Sequence, residues 1–192
     1  ATNFFRHIAR DADDAAGFHF PHTNQNIDPS RTRLNVTLVN DGTGDFRPLA
    51  SVNGQPPSHE FDDYLMTRLA TVRRPLRKDA VPIRGVILQL DPKWFDEHNP
   101  EWRASGVNDE AMEHMNAAVD WACLEFGQSN IVGISLHLDE HSPQVQVLVT
   151  PVTDDGRLSQ KDFFKGPADL RRQHKELREH MEAAGYDVEA RV

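Results

Sequence analysis

Residues 131–152 constrain this chain more than any other stretch. IVGISLHLD (131–139) and QVQVLVTPV (144–152) are rich in β-branched and aliphatic residues, and only EHSP separates them. So short a link makes an antiparallel hairpin the expected pairing. Residues two apart on a strand share a face, so His137, Asp139 and His141 project one way, while Gln144 and Gln146 share a face opposite Val145, Val147 and Val149. If His137 and the glutamines face the same side, polar groups converge beside a sheet whose other side is apolar. The plain alternative is a solvent-facing polar stripe on a half-buried hairpin.

Helical and strand patterns are mixed along the rest of the chain. FFRHIARDADDAA (4–16) reads as a short helix, broken by Gly17 and Pro21, and TRLNVTLV (32–39) as a strand. Residues 41–56 form a Gly- and Pro-rich loop, and 58–73 show helical spacing through Phe61, Leu65, Leu69 and Val72. VPIRGVILQL (81–90) is a second strand, and PKWFDEHNPEW an acidic helix or turn. Asn108 or Asp109 caps a long helix that Gly127 ends, and Ala168–Ala184 is an amphipathic helix stopped by Gly185. This order predicts an α+β fold, a two-layer sandwich of a central antiparallel β-sheet with packed helices. The length of 192 residues fits one domain, 1–192.

The net charge of −9 argues against a polyanionic partner, but the distribution matters more than the sum. Arg31 and Arg33 stand together, Arg73, Arg74, Arg77, Lys78 and Arg84 form a second group, and Arg171, Arg172 and Lys175 a third. On charge alone these read as solvated helix faces, although an acidic body with basic patches can bind DNA locally. A single cysteine, Cys123, excludes an internal disulfide and a multi-cysteine zinc site, and makes an intracellular, cytoplasmic setting the expectation. No apolar run approaches membrane-spanning length and no secretory signal opens the chain. Its first residue is Ala1 and not Met, as expected of a processed or trimmed chain.

Three clusters carry chemistry. One histidine with two amide oxygens makes a poor zinc site, whereas oxygen-rich ligation suits magnesium or manganese. FFRHIAR places His7 and Arg10 three apart on one helix face: a surface pair, or an acid/base or nucleophile beside a guanidinium that matches phosphate oxygens. HTNQNIDPSRTRLN (22–35) is dense in Asn, Asp and Arg just before a strand, and reads equally well as turn chemistry.

In this order the three clusters resemble the Pre/Mob (MobV-type) family of plasmid mobilisation relaxases, the His-nucleophile branch of the HUH endonucleases. FRHIAR supplies an HxxR motif with His7 and Arg10, NQNIDPSRTRLNVTL resembles the family's middle motif, and KDAV recurs as Lys78–Val81. HLDEHSPQVQVLVTP fits HLDExxPHxH followed by a strand and Pro, except that Gln144 and Gln146 stand where the family has metal-binding histidines. The resemblance implies site- and strand-specific nicking and rejoining of single-stranded or hairpin transfer-origin DNA. His7 would attack the scissile phosphate and retain the 5′ end as a phosphoramidate, and Arg10 would hold that phosphate. His137, with Gln144, Gln146 and Asp139, would make a weak or altered site for Mn2+ or Mg2+, and Glu140 would orient or activate it. Asp28, Arg31 and Asn35 would support the site or the DNA strand, joined by Arg73, Arg74, Arg77 and Lys78. The family usually opens with a strand before HxxR, where this chain has six residues before His7, and often adds a C-terminal dimerisation region beyond the end of this one. The two tyrosines, Tyr64 and Tyr186, lie outside the clusters, leaving no tyrosine nucleophile near the front.

Two further readings belong to other classes. The glutamine pair and the Arg73–Lys78 group suit a catalytically weakened module that binds origin DNA without cutting it. Acidic composition alone suits a protein-interaction domain with no nucleic-acid role.

Overall fold

The computed structural model describes residues 1–22 and 24–185. Tyr186 lies outside the described residues. Five strands, β1 (Val36–Asn40), β2 (Phe46–Pro48), β3 (Arg84–Gln89), β4 (Ile131–His137) and β5 (Gln144–Val149), form one sheet in the order β2-β1-β4-β5-β3. Every neighbouring pair is antiparallel, the predicted hairpin of β4 and β5 among them. The helices are α1 (Thr2–Ile8), α2 (Arg10–Ala15), α3 (His59–Leu69), α4 (Pro92–His98), α5 (Trp102–Ser105), α6 (Asp109–Phe126) and α7 (Pro167–Ala183). The expected α+β class is observed.

Strand alternation distributes these helices over both faces of the sheet. Leu136, Val145, Val147 and Val149 join Met115, Ala118 and Phe126 of α6 and Leu177 of α7 in the larger core. Phe5 and Ile8 of α1, Phe61 and Leu65 of α3, and Val39, Val132 and Leu148 make a smaller core on the opposite face. The second helical layer overturns the solvent-facing stripe: all seven residues of β4 are buried. Asn108 caps α6 by accepting a hydrogen bond from the Ala111 amide, and Gly127 ends it at a φ of 90°.

A short strand, β2, interrupts the loop expected over 41–56, and sequence-based boundaries move at the front of the chain for local reasons. The helix expected over 4–16 is interrupted at Ala9, whose φ of −98° and ψ of 28° turn α1 into α2. The strand expected over 32–39 starts only at Val36. Before it, Pro29–Leu34 winds into a 3-10 helix, with the Asp28 carboxylate accepting from the Ser30 amide and Pro29 at its first position.

Gly133 on β4 is where α3 approaches the sheet. A Cβ there would lie 2.3 Å from the Phe61 ring and 2.5 Å from the Leu38 carbonyl oxygen. Gly133→Ala is therefore expected to destabilise the chain by about 1–3 kcal/mol or more, because backbone as well as ring must move. A denaturant melt with an unchanged midpoint would refute this packing.

Candidate active site

The site forms where the N-terminal helices cross the His137 end of the central hairpin. His137 is fully buried, and its Nε2 is 2.9 Å from the Ile8 carbonyl oxygen. A carbonyl only accepts, so Nε2 carries the proton and the Nδ1 lone pair is left to the site. Nδ1 lies 3.3 Å from Glu140 Oε2 without a hydrogen-bond partner. A lone pair facing a carboxylate calls for a positive centre between them, either a proton or a cation. The Gln144 amide donates to the same Oε2 at 2.7 Å.

Arg10 and Asp139 anchor this arrangement. Arg10 is 1% exposed and Asp139 0%. Arg10 Nε donates to Asp139 Oδ2 at 2.8 Å and NH2 to Oδ1 at 2.6 Å, a bidentate pair, while NH1 donates to the His7 carbonyl at 2.8 Å. Burial alone would raise the Asp139 pKa, but its bonds with Arg10 and Thr32 hold it down at about 2. Two expectations change here. Arg10 clamps the His7 backbone to Asp139 instead of presenting an open fork to a phosphate. Asp139 has both oxygens occupied, by Arg10 and by Thr32 Oγ1 at 2.7 Å, so it is no metal donor.

His7 stands half-buried on α1, with its ring centroid 6.3 Å from His137 and 5.8 Å from His22. Burial, then the charge of Arg10, then His137 and His22 lower its pKa, opposed by Glu140. The imidazole is thereby kept neutral and its nitrogen lone pair available. His22 was not singled out in the sequence; it opened a segment that read as turn chemistry. Asp11 was missed as well. It lies beneath the site, accepting from Thr37 Oγ1 at 2.7 Å, and burial raises its pKa.

The middle cluster grips the backbone of the turn after β4. The Asp28 amide donates to the Asp139 carbonyl at 2.7 Å, Arg31 to the Glu140 carbonyl at 2.9 Å, and the Leu138 amide to Asn35 Oδ1 at 2.7 Å. With Thr32 on Asp139, four contacts fix the residues that carry the carboxylates. Gln146 shares the inner face, but its carbonyl oxygen turns toward Gly85 on β3, so Gln144 alone reaches Glu140.

The Arg73–Lys78 group is not brought to this site. Arg74 and Arg77 line a cleft of about 550 Å³ with Arg157 and Lys161, beside Val81. That is the Arg84 end of β3, whereas Gln144 pairs with Gln89 at the other end, about 16 Å away at the usual rise per residue. Arg73 is tied by its amide to the Gly156 carbonyl at 2.8 Å, and Lys78 lies in the same loop. In the third basic group, Arg172 pairs with Glu125, Asp169 and Glu176, an ordinary helix-surface network.

Residues 17–190 match the sequence profile of Mob_Pre, described as plasmid recombination enzyme. The chain belongs to the Mob_Pre family. The profile match starts beyond His7 and Arg10, so the placement of those two residues rests on geometry. Among similar Mob_Pre proteins, plasmid recombination enzyme type 3 of Mammaliicoccus lentus is 27% identical over 188 residues, covering 98% of this chain and 39% of that protein. The plasmid recombination enzyme of Lactiplantibacillus plantarum is 27% identical over 168 residues, 88% of this chain and 41% of that protein. The Mob_Pre chain described here thus spans about two fifths of the length of these relatives. A similar solved structure is the MobM relaxase domain (MOBV; Mob_Pre) bound to plasmid pMV158 oriT DNA, in a Mn-bound crystal form. It is 25% identical with a TM-score of 0.67, over 97% of this chain and 81% of that one. Among the described residues of this Mob_Pre chain, no helix is long and apolar enough to cross a membrane.

Proposed function

We propose that residues 1–192 act in the cytoplasm as one origin-nicking unit, cutting and rejoining single-stranded transfer-origin DNA to initiate plasmid mobilisation. The observation that carries this reading is the convergence of a neutral, half-buried His7 with the His137–Glu140–Gln144 corner. A nitrogen of His7 attacks the scissile phosphorus. The P–N bond forms as the bond to the 3′ oxygen breaks; that oxygen takes up a proton and the 5′ end stays on His7 as a phosphoramidate. Arg10 and Asp139 position His7 by clamping its carbonyl. Rejoining is the same step reversed, with the 3′ hydroxyl as nucleophile.

The residues present fit a hard divalent ion, manganese or magnesium. The fully buried His137 Nδ1 and Glu140 Oε2 are 3.3 Å apart, close to the spacing of about 3 Å for two donors sharing one ion at bonds near 2.1 Å. Among the described residues no group of three His, Cys, Asp or Glu side chains surrounds the spot, so an ion held there would need other donors beside this pair. When bound, the ion supplies positive charge that polarises a phosphoryl oxygen. Gln144 is the remaining candidate ligand.

The test is incubation with a transfer-origin oligonucleotide from the chain's own plasmid and manganese. A shortened strand and a covalent adduct at His7 are expected. A second reading, an origin-binding module that does not cut, is favoured by the amides at 144 and 146. Salt-sensitive binding with no nicking, together with activity in a Gln144→His, Gln146→His double variant, would establish that reading in its place.

The lowered pKa of His7 makes a further prediction. Because its protonated form is disfavoured, the imidazole stays nucleophilic to a pH below its ordinary 6.5. The acid limb of kcat/KM for nicking is accordingly expected below pH 6.5. A limb at or above that value would contradict the assignment of His7.

A further inference from the structure

We propose that Asp11 is a positioning residue for His7, acting through two hydroxyls that link it to the carbonyl of Ile8. This inference rests on His7 as the nucleophile of the proposed function.

The link is a chain of hydrogen bonds that leaves the backbone just after His7 and returns to it three residues later. Thr37 Oγ1 donates to Asp11 Oδ1 at 2.7 Å. Its one hydrogen is thereby used, so in the 2.7 Å contact between Thr37 Oγ1 and Ser135 Oγ the serine is the donor. Ser135 Oγ also lies 3.3 Å from the Ile8 carbonyl oxygen, which completes the chain. Thr37 and Ser135 are direct partners across β1 and β4, so the register itself sets their hydroxyls side by side. Ile8 ends α1 and Asp11 lies in the first turn of α2, with the bend at Ala9 between them. Both ends of the bend are therefore tied to the same two strands. Arg10, the first residue of α2, separately ties the His7 carbonyl to Asp139. The residues that follow His7 thus fix it twice, through its own carbonyl and through the next one.

Stability does not call for this chain. Phe5 and Ile8 already seat α1 in the smaller core. Thr37 and Ser135 are buried, and exchanging both partners of a buried hydrogen bond for apolar groups of the same shape costs little. A polar chain adds direction instead, because a hydrogen bond weakens steeply as its angle departs from linear. A nucleophile needs that precision, since a misplacement of about 1 Å can cost about a hundredfold in rate.

The experiment uses the full chain in two assays. Asp11→Asn keeps an acceptor oxygen for Thr37 without the charge, whereas Asp11→Leu removes both. In nicking with manganese, Asp11→Leu is expected to lower kcat at least about tenfold, with KM for the oligonucleotide changed by less than about twofold. Asp11→Asn is expected to stay within about threefold of the unaltered chain. Thr37→Val is expected to match Asp11→Leu, and the two together to lose no more than either alone, because both break one chain. The second assay needs no DNA: carbethoxylation of the His7 ring by diethyl pyrocarbonate at neutral pH, followed by peptide mass. Its rate is expected to rise at least about threefold in Asp11→Leu and in Thr37→Val, as the end of α1 opens more often, and to hold in Asp11→Asn. Thermal melts confirm that each variant is folded. Unaltered rates for Asp11→Leu in either assay, a loss in Asp11→Asn as large as in Asp11→Leu, or additive losses in the double variant would overturn the proposal. An unaltered chain that does not nick defeats the relaxase reading instead, and the reagent rates then judge the seat of His7 by themselves.

Discussion

Replacing His7 with alanine is expected to reduce nicking of origin DNA at least about a thousandfold and to eliminate the covalent adduct, since the P–N bond of the proposed step forms on its ring. Two features direct the expectation to His7 and away from its neighbours. His22 is exposed, and its ring meets only the edge of His7. His137 is fully buried with Nε2 bonded to the Ile8 carbonyl, so no phosphate reaches that nitrogen. The readouts are the shortened strand and the intact mass of the protein–DNA adduct. An undiminished adduct in His7→Ala would move the nucleophile elsewhere. Loss of nicking with retained DNA binding separates a chemical defect from a folding one.

The second large effect is expected at Asp139. Asp139→Ala leaves the buried Arg10 guanidinium without its bidentate partner and with only Glu140, at 3.4 Å, as counter-charge, which costs about 3–5 kcal/mol. The denaturant midpoint falls accordingly. An Arg10→Met, Asp139→Leu double variant is expected to recover much of the loss, because it removes both charges from the interior. If the double variant is less stable than Asp139→Ala, the charge pair is not the cause. The same pair sets an acid limit. Folding lowers the Asp139 pKa from 3.8 to about 2, so its contribution is complete above pH 3.8 and is lost as the pH falls toward 2. The amount at stake is on the order of 2 kcal/mol, measurable as a falling melting temperature over that window.

Much of this site was legible because its motifs are local. The alternation in HLDEHSPQVQV grouped His137 with Asp139 and Gln144 with Gln146 but left open whether the two sets share a side, and the register makes His137 and Gln144 direct partners across β4 and β5. The three-residue spacing of His7 and Arg10 suggested a joint role, and Arg10 does bond the His7 carbonyl. What the spacing misjudged was the direction of the guanidinium. Its partner Asp139 is 129 positions away, and no local pattern encodes a pair separated by that much chain. The middle cluster read as loop chemistry for a related reason: Asp28, Arg31 and Asn35 do shape a turn, but what they bind is the backbone of another segment.

The sequence alone determined the hairpin, the α+β class and the family, because alternation, caps and motif order are properties of neighbouring residues. It also fixed that two amides stand in the place of imidazoles. Only the tertiary structure decided what those amides do. Packing α1 and α2 over β4 buries the polar face, locks the His137 tautomer against Ile8, and brings Glu140 under Gln144 while Gln146 turns aside. Burial makes the difference. In water each of these groups would be satisfied by solvent, and in a closed corner its partners must come from the protein itself.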